Sequence, residues 1–246
     1  VQIMTGIYNQ RNYVRFGLLD PKARTFGHVM KDAGYKTCIV GKWQLEGGFE
    51  GPAGFGFDEY CLWQLSRRPP RYPNVGMEVN GKEIDYPYKY GPDVASDYLC
   101  NFIERNKDNP FFLYVPHPMP HVPIAVSEKF LGKSDQGLYG DLMMEIDWSV
   151  GRIINALEQN KIIDNTLIIF TSDNGPWLNF GNHAGSTGGL REGKGTSFEG
   201  GQRVPTVMMW PDVIPAGKIA NQLSSAIDIL PTCLLYTSEA ADEGLG

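Results

Sequence analysis

Three short polar clusters, each following an apolar run, hold the side chains best suited to chemistry. Gly41-Lys42-Trp43-Gln44 follows the run at 35–40, and Pro116-His117-Pro118-Met119-Pro120-His121 follows 111–115. Thr171-Ser172-Asp173-Asn174-Gly175-Pro176 ends the run that begins at 165. A lysine neutralises an anion, and an imidazole moves a proton near neutral pH. A carboxylate and an amide oxygen hold a hard cation such as Ca²⁺ or Mg²⁺. A fourth stretch, 185–201, contains Lys194 between two of its seven glycines. Glycines let a backbone approach an oxyanion closely, and a lysine there balances its charge. Gly193-Lys194-Gly195-Thr196 breaks the spacing of a phosphate-binding loop, so no nucleotide site is read.

Each cluster taken singly has a plainer explanation. Lys42 would be a solvated charge, His121 a proline-crowded loop residue, Asp173-Asn174-Gly175 a tight turn, and 185–201 a flexible loop. Their recurrence at three strand ends favours a shared crevice, because ligands of parallel sheets bind beyond the carboxyl ends of the strands.

The elements that must position them are legible from periodicity. Apolar spacing predicts helices over 22–33, 94–106 and 138–159. Strands are predicted at 35–40, 111–115, 165–171 and 204–210, the last two as buried strands. Continuously apolar strands between helices define an α/β fold, a mostly parallel sheet with helices on both faces. Residues 48–90, rich in Gly, Pro, Arg and aromatics, read as a loop-like insertion at the sheet's rim.

Composition narrows the classes further. The 246 residues have a formal net charge of −6 and are 42% hydrophobic. That excludes a disordered chain and a basic nucleic-acid binder. No apolar run approaches the ~20 residues of a membrane helix. The four histidines (His28, His117, His121, His183) lack zinc-motif spacing. Asp173 and Asn174 therefore point to Ca²⁺ or Mg²⁺, with the remaining ligands supplied from elsewhere. Cys38, Cys61 and Cys100, widely spaced and odd in number once Cys233 is set aside with the adapter-like segment described next, form neither a disulfide framework nor a metal cluster. Residues 233–246 begin Cys-Leu-Leu-Tyr-Thr-Ser, which TGT CTC TTA TAC ACA TCT encodes. That string resembles a transposon end used in sequencing libraries, so 233–246 read as translated adapter.

Thr5-Gly6, Gly41-Lys42-Trp43, Pro120-His121-Val122-Pro123 and residues 170–176 resemble, in order, motifs of the sulfatases. So do Arg191-Glu192-Gly193-Lys194-Gly195-Thr196, Glu199-Gly200-Gly201, Val204-Pro205 and Asp228-Ile229-Leu230-Pro231-Thr232. Sulfatases are calcium-dependent sulfuric-ester hydrolases of the alkaline-phosphatase superfamily, and the likeness is greatest to bacterial arylsulfatase A-type enzymes. The sulfatase signature runs Cys-x-Pro-x-Arg, two variable residues, an aliphatic, one more, then Thr-Gly. Val1-Gln2-Ile3-Met4-Thr5-Gly6 is similar to its second part. The chain is thus expected to start just after the signature arginine, with 1–232 a partial catalytic domain. The nucleophile-bearing part and a C-terminal subdomain would lie outside it, making the alkaline-phosphatase-like fold incomplete.

The resemblance implies a formylglycine nucleophile upstream of Val1 and one Ca²⁺ held by Asp173, Asn174 and upstream residues. Lys42 and Lys194 would hold the sulfate oxygens as catalytic and substrate-binding groups, and His121 would assist the leaving oxygen. His183 would touch the substrate's sugar or ring. Gln44 stands where many sulfatases have a histidine that takes a proton from the formylglycine hydrate. Glutamine cannot accept that proton, so His117 or a water takes over, or turnover differs. The implied substrate is a sulfate monoester, small or glycan, and the implied location periplasmic or secreted. Trp63, Arg67, Arg68, Arg71 and Tyr72 either line a pocket for an anionic sulfated sugar or pack against the sheet. Two alternatives stand: a phosphatase or phosphonate hydrolase of the same superfamily, and a sulfated-glycan-binding pseudoenzyme, which Gln44 favours.

Overall fold

The computed structural model describes residues 1–12 and 14–237. In chain order the helices and strands are α1 (Gln2–Thr5), α2 (Asn9–Asn12), α3 (Phe26–Asp32), β1 (Lys36–Lys42) and α4 (Gly51–Gly54). There follow β2 (Glu59–Trp63), β3 (Gly76–Val79), β4 (Lys82–Asp85), α5 (Gly91–Asn106) and β5 (Phe111–Tyr114). The remainder are α6 (Gly137–Gln159), β6 (Ile168–Thr171), α7 (Glu199–Gln202), β7 (Thr206–Met209) and α8 (Ile229–Thr237). The chain divides into two units, one of residues 1–118 with the segment after 219, the other of residues 119–219.

The first unit is built on a five-stranded sheet in the order β4-β3-β2-β1-β5. Its centre is parallel: Cys38 pairs with Glu59 on one side and with Leu113 on the other. Residues 37–41 of β1 are all buried, so both faces of the strand are covered. Adjacent strand residues point to opposite faces, and β5 shows what covers them. The Phe112 ring lies 4.4 Å from Phe26 of α3, whereas Phe111 meets Phe102 of α5 edge-on at 5.9 Å. Helices thus lie on both faces, as the apolar pattern requires. The α3 side holds the larger cluster, in which Ile39, Phe57 and Leu62 pack with Met4, Leu19 and Trp43.

Two expectations are corrected in this unit. The helix expected over 22–33 begins only at Phe26, because the Thr25 N–H donates to His28 Nδ1 at 3.2 Å and closes a capping box. Residues 48–90 are not a loop-like insertion, since they supply three of the five strands. β2 is a short apolar strand parallel to β1, and β3 and β4 form an antiparallel hairpin. The hairpin turns at Asn80-Gly81, with φ of 47° and 85°, the backbone that an Asn-Gly pair adopts readily.

In the second unit, α6 buries Leu142, Ile146 and Leu157 along one stripe. Asp141, also buried, accepts the N–H groups of Gly132 at 2.8 Å and Ser134 at 2.7 Å, which hold its carboxyl below the usual carboxylate range. β6 and β7 pair antiparallel, with Ile168 opposite Met209. The expectation of two further buried strands is therefore corrected. Phe170 is 41% and Val207 63% exposed, and neither strand has a second hydrogen-bonded neighbour among the described residues. A four-residue apolar run reads alike in parallel, antiparallel, buried and half-covered strands, which is why its pairing was not legible. α8 extends five residues into the segment read as adapter, and residues 238–246 lie outside the described residues.

Candidate functional site

Lys42 does not follow β1 but ends it, opposite Trp63 of β2. Its backbone N–H donates to the Pro116 carbonyl at 2.7 Å. Gly41, at φ 135°, makes this closure possible, because any Cβ there would overlap the same carbonyl. The carboxyl ends of β1 and β5 are thereby locked together, bringing Lys42 and the segment bearing His117 to adjacent strand ends. Trp43 is 2% exposed, packs on Phe55 and anchors the chain, leaving Lys42 half-buried and Gln44 exposed on either side of it. His117 keeps part of its surface open, but the protein packed around the ring pushes its pKa down to about 4. It is neutral at pH 7 and a weak base.

His121, Asp173, Asn174, His183 and Lys194 belong to the second unit. The loop after β6 is held by backbone: Gly175 N–H donates to Gly201 O at 3.0 Å, and Lys194 N–H to Pro176 O at 2.9 Å. A Cβ on Gly175 would overlap the Gly200 carbonyl, and one on Gly193 the Pro176 carbonyl. Gly193 makes its close approach to the Asp173-bearing loop, at the Pro176 carbonyl, whereas a Cβ on Gly200 would overlap the Arg191 and Glu192 carbonyls and one on Gly201 those of Gly193 and Thr196. The segment is not a free surface loop. Its packing sets Lys194 beside Asp173-Asn174-Gly175-Pro176.

Trp177, which the sequence reading passed over, connects the catalytic candidates. Its ring centroid is 6.1 Å from that of His121, at 72°, and 5.2 Å from Lys194 Nζ. Phe180 packs on it edge-on at 4.9 Å. The signal was an aromatic residue directly after Asp-Asn-Gly-Pro. His121 Nδ1 lies 2.7 Å from the Val122 carbonyl. A carbonyl only accepts, so Nδ1 carries a hydrogen and Nε2 is the nitrogen that gains and loses the second proton. His183 closes the 3₁₀ segment Leu178–His183, is exposed, and makes no hydrogen bond, ion pair or ring contact among the described residues.

The metal candidates offer oxygen. Asp173 is exposed and its carboxylate has no hydrogen-bond or ion-pair partner among the described residues. Asn174 donates through Nδ2 to the Gly175 carbonyl at 3.2 Å, so its amide is oriented by the turn. No group of three or more His, Cys, Asp or Glu gathers among the described residues. The donor set fits Ca²⁺ in kind and provides part of the six to eight oxygens that ion takes.

The aromatic and arginine-rich insertion divides. Arg71 lies over Trp63 at 5.1 Å and Tyr72 at 4.8 Å, and Tyr72 is buried against Tyr90. Those three side chains pack, whereas Arg67 and Arg68 face a cleft.

The sulfatase family profile matches residues 1–238, and the chain belongs to that family. It is 35% identical to N-acetylgalactosamine-6-sulfatase of Canis lupus familiaris, over 94% of this chain and 50% of that protein. It is 33% identical to arylsulfatase A of Bos taurus, over 94% of this chain and 52% of that one. Among solved structures, Ps i-CgsB in complex with k-i-k-neocarrahexaose superposes with a TM-score of 0.87 at 29% identity, covering all of this chain and 62% of the other. The chain spans about half the length of the curated relatives it matches. Among the described residues, no helix is long and apolar enough to cross a membrane.

Proposed function

We propose that the chain is part of the catalytic domain of a sulfuric ester hydrolase acting on sulfated carbohydrates. The observation that carries this reading is the grouping of His121, Trp177 and Lys194 beside the loop of Asp173 and Asn174. The names of the relatives support the sugar substrate.

A sulfate monoester is anionic, and negative charge grows on the departing oxygen as its S–O bond breaks. Lys194 and Lys42 provide fixed positive charge for the sulfuryl oxygens, the preorganised stabilisation that dominates such reactions. His121 donates from Nε2 to the leaving oxygen, while its Nδ1–H, bound to Val122, fixes the ring. Trp177 keeps imidazole and ammonium in place. Asp173 and Asn174 would hold Ca²⁺, which when bound supplies further positive charge at the sulfuryl group. A formylglycine upstream of Val1 supplies the nucleophile, and His183 meets the sugar. We place the protein in the periplasm or outside a bacterial cell.

A second reading, a sulfated-glycan-binding protein without turnover, is favoured by Gln44. Glutamine accepts no proton, and His117, at about 4, is a poor acceptor at pH 7. One experiment separates them. The chain extended upstream through the signature is assayed for sulfate release from an aryl sulfate and a sulfated disaccharide. Release by the extended chain, and none by the 246-residue chain, is the expected result. Binding without release by the extended chain would sink the hydrolase reading.

A further inference from the structure

We propose that the cleft at the carboxyl ends of β1 and β2 binds a second acidic sugar unit of the substrate, with Arg68 as its anion contact. This rests on the reading of a sulfated carbohydrate as substrate. The cleft has a volume of about 310 Å³, at the low end for small-molecule pockets, and its wall includes Gln44, two residues beyond Lys42.

Charge accounting singles out Arg68. Arg67, its neighbour, is engaged by three carboxylates, Asp85 at 2.7 Å, Glu78 at 3.4 Å and Glu83 at 3.5 Å. Glu46, on the same cleft, is held by Arg15 at 2.7 Å. Arg68 is exposed and has no hydrogen bond or ion pair among the described residues. Arg68 is therefore the lining cation with no carboxylate partner among the described residues, and its guanidinium fork suits a sulfate or carboxylate.

The rest of the lining suits a sugar. Phe16 is 71% exposed and offers an aromatic face, while the amides of Gln44 and Gln64 can each donate to and accept from hydroxyls. The loop is also fixed in advance. Buried Glu78 accepts the Leu65 N–H at 3.1 Å, the Leu65 side chain lies in the core, and Trp63 Nε1 donates to Pro69 O at 3.0 Å. Little ordering is left for binding to bring about.

The test is calorimetric titration of the 246-residue chain with a chondroitin disaccharide sulfated on both rings and with its monosulfated counterpart. The chain binds the disulfated probe about tenfold more tightly, the scale of one charge-assisted contact. Arg68→Ala abolishes that preference, Arg68→Lys retains part of it, and Arg24→Ala, which alters a distant surface pair with Asp32, leaves it intact. Equal affinity for the two probes in the unaltered chain, or an undiminished preference in Arg68→Ala, would overturn the proposal. Turnover plays no part in this readout. Loss of the hydrolase reading would appear as absent sulfate release by the extended chain, with the binding preference still present.

Discussion

The ammonium of Lys194 stands 5.2 Å from the centre of the Trp177 indole, a cation–π contact. Such contacts stabilise by about 0.5–2 kcal/mol, and here the same ring also braces His121. Trp177→Ala is expected to lower kcat/KM of the extended chain toward an aryl sulfate about tenfold. Trp177→Phe, which keeps a π face, retains most of it. Steady-state kinetics on the two variants, with circular dichroism to confirm folding, provide the check. Equal kinetics in all three proteins would show the contact to be incidental.

Gly175 offers a stability test. Its Cα faces the Gly200 carbonyl with no room for a methyl group. Gly175→Ala must push the two loops apart, at a cost of about 1–3 kcal/mol by the usual scale of overpacking. A drop of several degrees in Tm is expected, together with a weaker response of Tm to added Ca²⁺, because Asp173 and Asn174 move with the loop. Differential scanning fluorimetry with and without the ion measures both.

His117 makes stability fall on acidification. Its pKa is about 4 in the folded chain, against about 6.5 when unfolded. Above pH 6.5 both states are neutral and nothing is lost. Between pH 6.5 and 4 the unfolded state binds a proton that the folded state refuses, so stability declines as pH falls and levels off below 4. The full loss is about 3 kcal/mol. Urea unfolding at pH 7.5 and pH 5 is expected to show a smaller difference in His117→Gln than in the unaltered chain. Parallel losses in the two would remove His117 as the cause.

Gln44 bears on turnover. Replacing it by histidine in the extended chain supplies a proton acceptor of useful pKa where glutamine has none. Sulfate release is expected to speed up about tenfold or more, on the low side of the 10²–10⁴ typical of general bases. Stopped-flow or steady-state assays read this directly, and an unchanged or lower kcat would mean another group takes the proton.

The placement of Lys42, His117 and Asp173 at strand ends was legible because each apolar run passes abruptly into polar residues. Segment type was readable for α5 and α6, whose stripes are long and regular. β2 was not, since Glu59-Tyr60-Cys61-Leu62-Trp63 sits between Gly- and Pro-rich stretches that read as loop. The β3–β4 hairpin could have been found from Asn80-Gly81 between two short runs. Trp177 lay hidden for a different reason. A single aromatic residue says nothing of what it touches, and only the zipping of Gly175 to Gly201 brings Lys194 over its ring.

β6 and β7 have one further consequence. Two strands alone are marginally stable in water, and the outer backbone groups of β7 stand beside exposed Val207 and Met208. Such an edge is a template for a strand from another molecule. As its concentration rises, the 246-residue chain is therefore prone to self-association along the exposed edge of β7.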